Sequence, residues 1–101
     1  MKAEFLDPAE SELFEAISYY NGEGEGLGYE FAAEVKRTIG RIMEYPNAWA
    51  QLSKRTRRCR MNRFPYAVIY QVRTDMILIV AIMHLHRDPE SWKDRLRPGE
   101  R

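Results

Sequence analysis

The chain has a single cysteine, Cys59, so it can build neither an internal disulfide nor a cysteine-based metal site. Long apolar runs are also missing. The longest, Met76 to Met83, is far too short to span a bilayer, which argues against a membrane protein. The N-terminus has no basic start followed by an extended apolar stretch, so no secretory signal is expected and a cytoplasmic location is. Glycine is scarce, and four of the six fall between Asn21 and Gly28. Acidic residues are absent from Lys54 to Arg63, and no repeat or low-complexity tract interrupts the chain.

What is present describes one folded unit. A chain of 101 residues, 45% hydrophobic and 31% charged, suits a single domain over residues 1–101 with one modest core. The net charge of +1 conceals a division: residues 1–50 carry four Lys/Arg against ten Asp/Glu, a net of −6. Residues 51–101 carry twelve against five, a net of +7. The basic run Lys54, Arg55, Arg57, Arg58, Arg60, Arg63 points to an anionic partner, or else to a solvated face opposite an acidic helix of the same chain.

Patterning predicts the order of elements. "AEFL" (Ala3–Leu6) reads as a short strand. In "DPAE", Asp7 is expected as N-cap, Pro8 in the first helical position and Glu10 completing a capping box. Ala9, Leu13, Ala16, Ile17 and Tyr20 then form an apolar stripe at helical spacing. The glycine-rich stretch Asn21–Gly28 predicts a loop. A second helix follows from about Tyr29 to Tyr45, with Phe31, Val35, Ile39 and Ile42 on one face. "RRCRMN" alternates Arg58, Arg60 and Asn62 with Cys59 and Met61, which predicts a strand with one basic and one apolar face. "YAVIYQV" (Tyr66–Val72) and "MILIVAIMHL" (Met76–Leu85) follow as strands, the latter apolar on both faces and so central. Pro65 predicts a bend between the first two of these three strands. "DPESWKDRL" repeats the Asp-Pro helix start, with Asp88 capping a short C-terminal helix. The expected class is α+β: two layers, an N-terminal strand and helical hairpin on a mainly antiparallel sheet.

The candidate functional residues cluster late in the chain. His84 and His86, two apart at the end of the central strand, are expected to face the same side and titrate near neutral pH, so they suit acid–base work; equally, they can close off a sheet edge. Arg87 can bind phosphate, or pair with Asp88, Glu90 or an acid on the first helix. Arg58, Arg60 and Arg63 offer a cationic surface. Trp92 and Trp49 read as packing anchors and Cys59 as an inert core residue. The two histidines find no third ligand except Asp88, already assigned to a cap, so no metal is expected.

In combination, "EAISYY", "GLGYEFAAEVKRTIGRIMEYP", "FPYAVIYQV" and "IVAIMHLHRDPESWKDR" resemble the RelE/ParE superfamily of toxins from bacterial type II toxin–antitoxin pairs, often called plasmid stabilisation proteins. The likeness runs from Glu4 to about Arg95. It implies the α+β fold above, no cofactor, and neutralisation by a cognate antitoxin with an acidic, partly disordered tail, in a heterotetramer or larger complex. RelE-like members cut messenger RNA on the ribosome, whereas ParE-like members poison DNA gyrase. Metal-free RNA cleavage needs a base, an acid and cations on the phosphate. RelE-like members commonly take one of these groups from a C-terminal tyrosine, and no tyrosine follows Tyr70 here. His84, His86, Arg87 and Arg60 would have to serve instead. The missing tyrosine and the "HxxRxPxxW" ending favour the ParE-like branch. A non-toxic module that only binds an antitoxin is a third expectation. In either toxin branch Arg58, Arg60, Arg63 and Arg87 are expected to meet the target or the antitoxin.

Overall fold

Alternation, helical stripes and turn residues assemble into nine short elements in the computed structural model, which describes residues 1–101. In chain order these are β1 (Lys2–Phe5), α1 (Asp7–Glu23), α2 (Leu27–Glu44), β2 (Ala50–Gln51), β3 (Arg57–Arg60), β4 (Tyr66–Val72) and β5 (Met76–His84), then two 3-10 turns, Lys93–Arg95 and Pro98–Glu100. The sheet order is β1-β5-β4-β3-β2. β1 runs parallel to β5 and every other pairing is antiparallel. The two-residue edge strand β2, opposite Arg57 and Arg58, is an addition to the expected set. No helix is long and apolar enough to cross a membrane.

β5 is apolar on both faces because both faces are covered. On one, Ala9, Ala16, Phe31, Val35 and Ile42 of the helical hairpin pack on Cys59, Val68, Tyr70, Ile77, Ile79 and Ile82. On the other, Trp92 and Leu96 of the C-terminal segment cover Ile69, Leu78, Val80, Ala81 and Met83. Trp92, expected as an anchor, is 1% exposed. Burying a side chain of that size contributes on the order of 3 kcal/mol, enough to hold a segment with little regular structure of its own.

Three local expectations are corrected. Asp7 does not cap α1: the N-cap is Leu6, with no side-chain bond, and no capping box forms with Glu10. Leu6, just past β1, still bonds to the sheet, donating its N–H to the Ile79 carbonyl at 3.0 Å, so the chain enters the helix directly and Asp7 sits in the first turn. The loop between the helices is shorter than its glycines suggested, because α1 continues to Glu23 and α2 begins at Leu27. Asn21, inside α1, makes this possible: its Oδ1 accepts the Gly28 N–H at 3.1 Å, capping the second helix from the first. A Cβ on Gly28 would stand 2.3 Å from that oxygen and 2.6 Å from the Ile17 carbonyl, so glycine is required by close approach. Lastly, Asp88 opens a turn, with Oδ1 accepting the Glu90 N–H and its carbonyl the Ser91 N–H, and the C-terminal helix takes 3-10 form.

Candidate functional site

A β-bulge sets the position of His84. Ile69 pairs with Ala81 and Tyr70 with Ile79, which leaves Val80 as an extra residue in β5. Strict alternation from Ile77 and Ile79 would point residues 81 and 83 at the helices. The bulge shifts the phase by one, so Ile82 joins the helix-side core, and His84 emerges beside α1. There it lies 4.9 Å from the Tyr66 ring, edge-on, and 5.2 Å from His86. The histidines meet because a turn folds Leu85–Arg87 back, closed by the Arg87 N–H donating to the His84 carbonyl at 3.0 Å, rather than because they share a strand face. Tyr19, Tyr20 and Arg87 complete a recess of about 450 Å³.

The electrostatics of this groove favour a neutral His84 and a neutral Tyr66. Burial pushes His84 below the ordinary histidine value, and the nearby His86 and Arg87 push it further. Its Nδ1 accepts the His86 backbone N–H at 3.1 Å, which leaves the ring proton on Nε2. Burial pushes the Tyr66 phenol up, with Tyr20 adding and Arg87 opposing. Arg87 has no carboxylate within ion-pair distance, although Glu12 and Glu15 line an adjoining recess with it. No three His, Cys, Asp or Glu side chains converge anywhere in the chain.

The other singled-out arginines lie elsewhere. Cys59, Val68 and Ile82 stand in register on the helix face. Arg60 pairs with Ala67 and Ala67 with Met83, so Arg60 belongs to the opposite face of the sheet from His84. Arg58, opposite Ile69, shares that face, half-buried, with its Nε buried and unpartnered. Arg63 is drawn to the helix side, where it pairs with Glu30 at 2.8 Å. His84, His86 and Arg87 therefore form one group, Arg58 and Arg60 a second, and Arg63 belongs to neither. Trp49 packs at the border of the helix-side core beneath Arg41. Cys59 is buried, and burial pushes its thiol up against the opposing pull of Arg41.

Two side chains with large roles carried no obvious mark. Glu12 receives Arg95 through both carboxylate oxygens at 2.7 Å and accepts the Ile82 N–H at 3.1 Å, while Arg95 also donates to the Val80 carbonyl at 2.9 Å. The pair thus satisfies backbone groups at the bulge that aims His84. Glu34, 3% exposed, accepts the Asn62 and Arg63 N–H groups at 2.8 and 3.1 Å and Arg37 Nε at 3.0 Å. It pins a loop in which Phe64 holds φ +88°, a left-handed conformation costing about 1–3 kcal/mol. The available signal was positional. Each carboxylate stands three residues after one buried residue (Ala9, Phe31) and four before another (Ala16, Thr38), at the border of the apolar stripe.

Residues 3–89 match the family described as "ParE toxin of type II toxin-antitoxin system, parDE". "Toxin ParE2" of Mycobacterium tuberculosis, in strains CDC 1551 / Oshkosh and H37Rv, is 32% identical over 83 residues, covering 81% of this chain and 79% of the relative. A solved chain described as "Chromosomal ParDE TA system from P. aeruginosa" superposes with a TM-score of 0.73 over 85% of this chain and 97% of that one. At 16% identity this likeness concerns the fold.

Proposed function

Because the chain belongs to the ParE toxin family of type II toxin–antitoxin systems, we propose that residues 1–101 act as one toxin domain in the cytoplasm. There it inhibits DNA gyrase until a cognate antitoxin with an acidic, partly disordered tail neutralises it in a heterotetramer or larger complex. The observation that carries the gyrase reading is the separation of the cationic groups. RNA cleavage through His84 and His86 would need cations on the phosphate beside them. Only Arg87 stands there, while Arg60 and Arg58 belong to the opposite sheet face. Titratable rings with a single cation beside them suit binding of a protein target better than phosphate chemistry.

One observation favours the second reading, a ribosome-dependent messenger-RNA nuclease. The tyrosine missing from the C-terminal segment has a spatial counterpart, since Tyr66 lies against His84 next to Arg87. Expression without antitoxin of the chain and of its His84→Gln/His86→Gln variant separates the two. The gyrase reading expects DNA-damage signalling, intact messenger RNA and toxicity that survives both changes. Ribosome-dependent cleavage that falls about 100-fold or more in the variant would replace it with the nuclease reading.

A further inference from the structure

At the far edge of the sheet from β1, a recess of about 230 Å³ is lined by Lys54, Arg55, Arg57 and Arg73 with Asn47 and Val72. Its two central arginines are held in place by neutral acceptors. Arg57 donates to the Trp49 carbonyl at 2.9 Å. Arg73 donates through Nε and a terminal nitrogen, at 3.0 and 2.8 Å, to the side-chain oxygen of Gln71. Gln71 is 2% exposed and is itself fixed by the Thr56 hydroxyl and the Glu100 carbonyl. Lys54, Arg55 and Arg57 form no side-chain ion pair, Glu100 stands 3.9 Å from Arg73, and the Arg101 main-chain oxygen is taken up by the Arg55 N–H and the Thr56 hydroxyl. The guanidinium groups are thus oriented while most of their charge stays un-neutralised, the arrangement that pre-organises carboxylate recognition. Val72, 40% exposed at the rim, adds an apolar contact.

We propose that this recess seats an acidic, amphipathic peptide segment of a protein partner, its carboxylates on Arg57 and Arg73 and an apolar side chain on Val72. The proposal rests on the toxin–antitoxin reading in taking the antitoxin as that partner. A nucleic acid fits less well. No aromatic ring lines the recess to stack a base, and its volume admits one or two carboxylates rather than a tracked backbone.

The test measures the affinity of the full chain for the full-length antitoxin encoded beside it, by calorimetry at two salt concentrations. Arg57→Gln/Arg73→Gln should weaken binding about 10- to 100-fold and flatten its salt dependence. Lys54→Glu/Arg55→Glu, at the exposed rim and safe for folding, should weaken it in the same direction. Binding to single-stranded and duplex DNA should not change in either variant. Unchanged antitoxin affinity in both folded variants would overturn the proposal while leaving the toxin–antitoxin reading intact. Loss of DNA binding with antitoxin binding preserved would overturn the peptide assignment. Failure of the unaltered chain to bind the antitoxin at all would overturn that reading and the proposal together.

Discussion

The two edges of the sheet handle arginine in opposite ways. At the β1–β5 edge, Arg95 lies in the C-terminal segment with a side chain only 19% exposed, and both its hydrogen-bonding arms end on Glu12, 21% exposed. Its charge is neutralised within the chain and its geometry holds a bulge. At the β2–β3 edge, Arg57 and Arg73 are oriented too, but by carbonyl and amide oxygens. Net charge does not distinguish the arginines that fold the protein from those left for a partner; the acceptor each one finds does.

The strongest way to break this comparison is Glu12→Ala. It strands Arg95 mostly buried without its counter-charge and removes the acceptor for the Ile82 N–H. Breaking a buried pair from one side costs roughly 3–5 kcal/mol. The urea midpoint should therefore fall sharply with an unchanged slope. His84 should also lose its fixed place beside Tyr66, seen as altered imidazole shifts in NMR spectra. A loss under about 1 kcal/mol would mean that the clamp is ornamental and the two edges are alike.

A smaller effect is expected at Glu34, the second internal acid. Burial raises its pKa, but the Arg37 hydrogen bond and the Arg63 and Asn62 amides outweigh it, holding the carboxyl below its ordinary value. A carboxyl lowered on folding stabilises the fold fully above its unfolded value, and the contribution is lost as pH falls through the folded one. Glu34→Gln should cost about 1–3 kcal/mol at neutral pH through weakened bonds to the Asn62 and Arg63 amides. Urea titrations should show the gap between variant and parent closing below about pH 4.5, the ordinary value for this group. A gap that stays constant into acid would assign the loss to packing instead.

These two acids show where sequence reading reaches and where it stops. The stripe through Ala9, Leu13 and Ala16, the alternation at Arg58, Cys59 and Arg60, and the doubly apolar β5 are local patterns, and the helices and strands they implied are present. The Glu12–Arg95 bond joins residues 83 apart, and the Glu34 contacts span 28 and 29 positions; no local period encodes them. The bulge escaped for a related reason. In a strand apolar on both faces, Val80 can turn either way without breaking the pattern, so the phase of His84 was invisible. The grouping of His84, His86 and Arg87 was legible from proximity in sequence. The tyrosines beside them, and the recess that Arg57 of β3 shares with Arg73 just past β4, needed the fold.

The smallest expected effect sharpens the comparison most. Arg58 lies opposite Ile69, its Nε buried with no partner and its guanidinium without an ion pair. A buried donor left unsatisfied works against the fold, whereas the aliphatic stem packs on the sheet and favours it. Arg58→Met keeps the stem and removes the donor. The two terms oppose each other, so stability should stay within about 0.5 kcal/mol of the parent, or rise slightly. Binding to the antitoxin or to the target should weaken in the same protein, because the charge removed is one that no internal carboxylate meets. Unfolding and affinity measured side by side decide the matter. A stability loss of about 2 kcal/mol with affinity intact would place Arg58 with Arg95, among the residues that fold the chain, and erase the distinction between the edges.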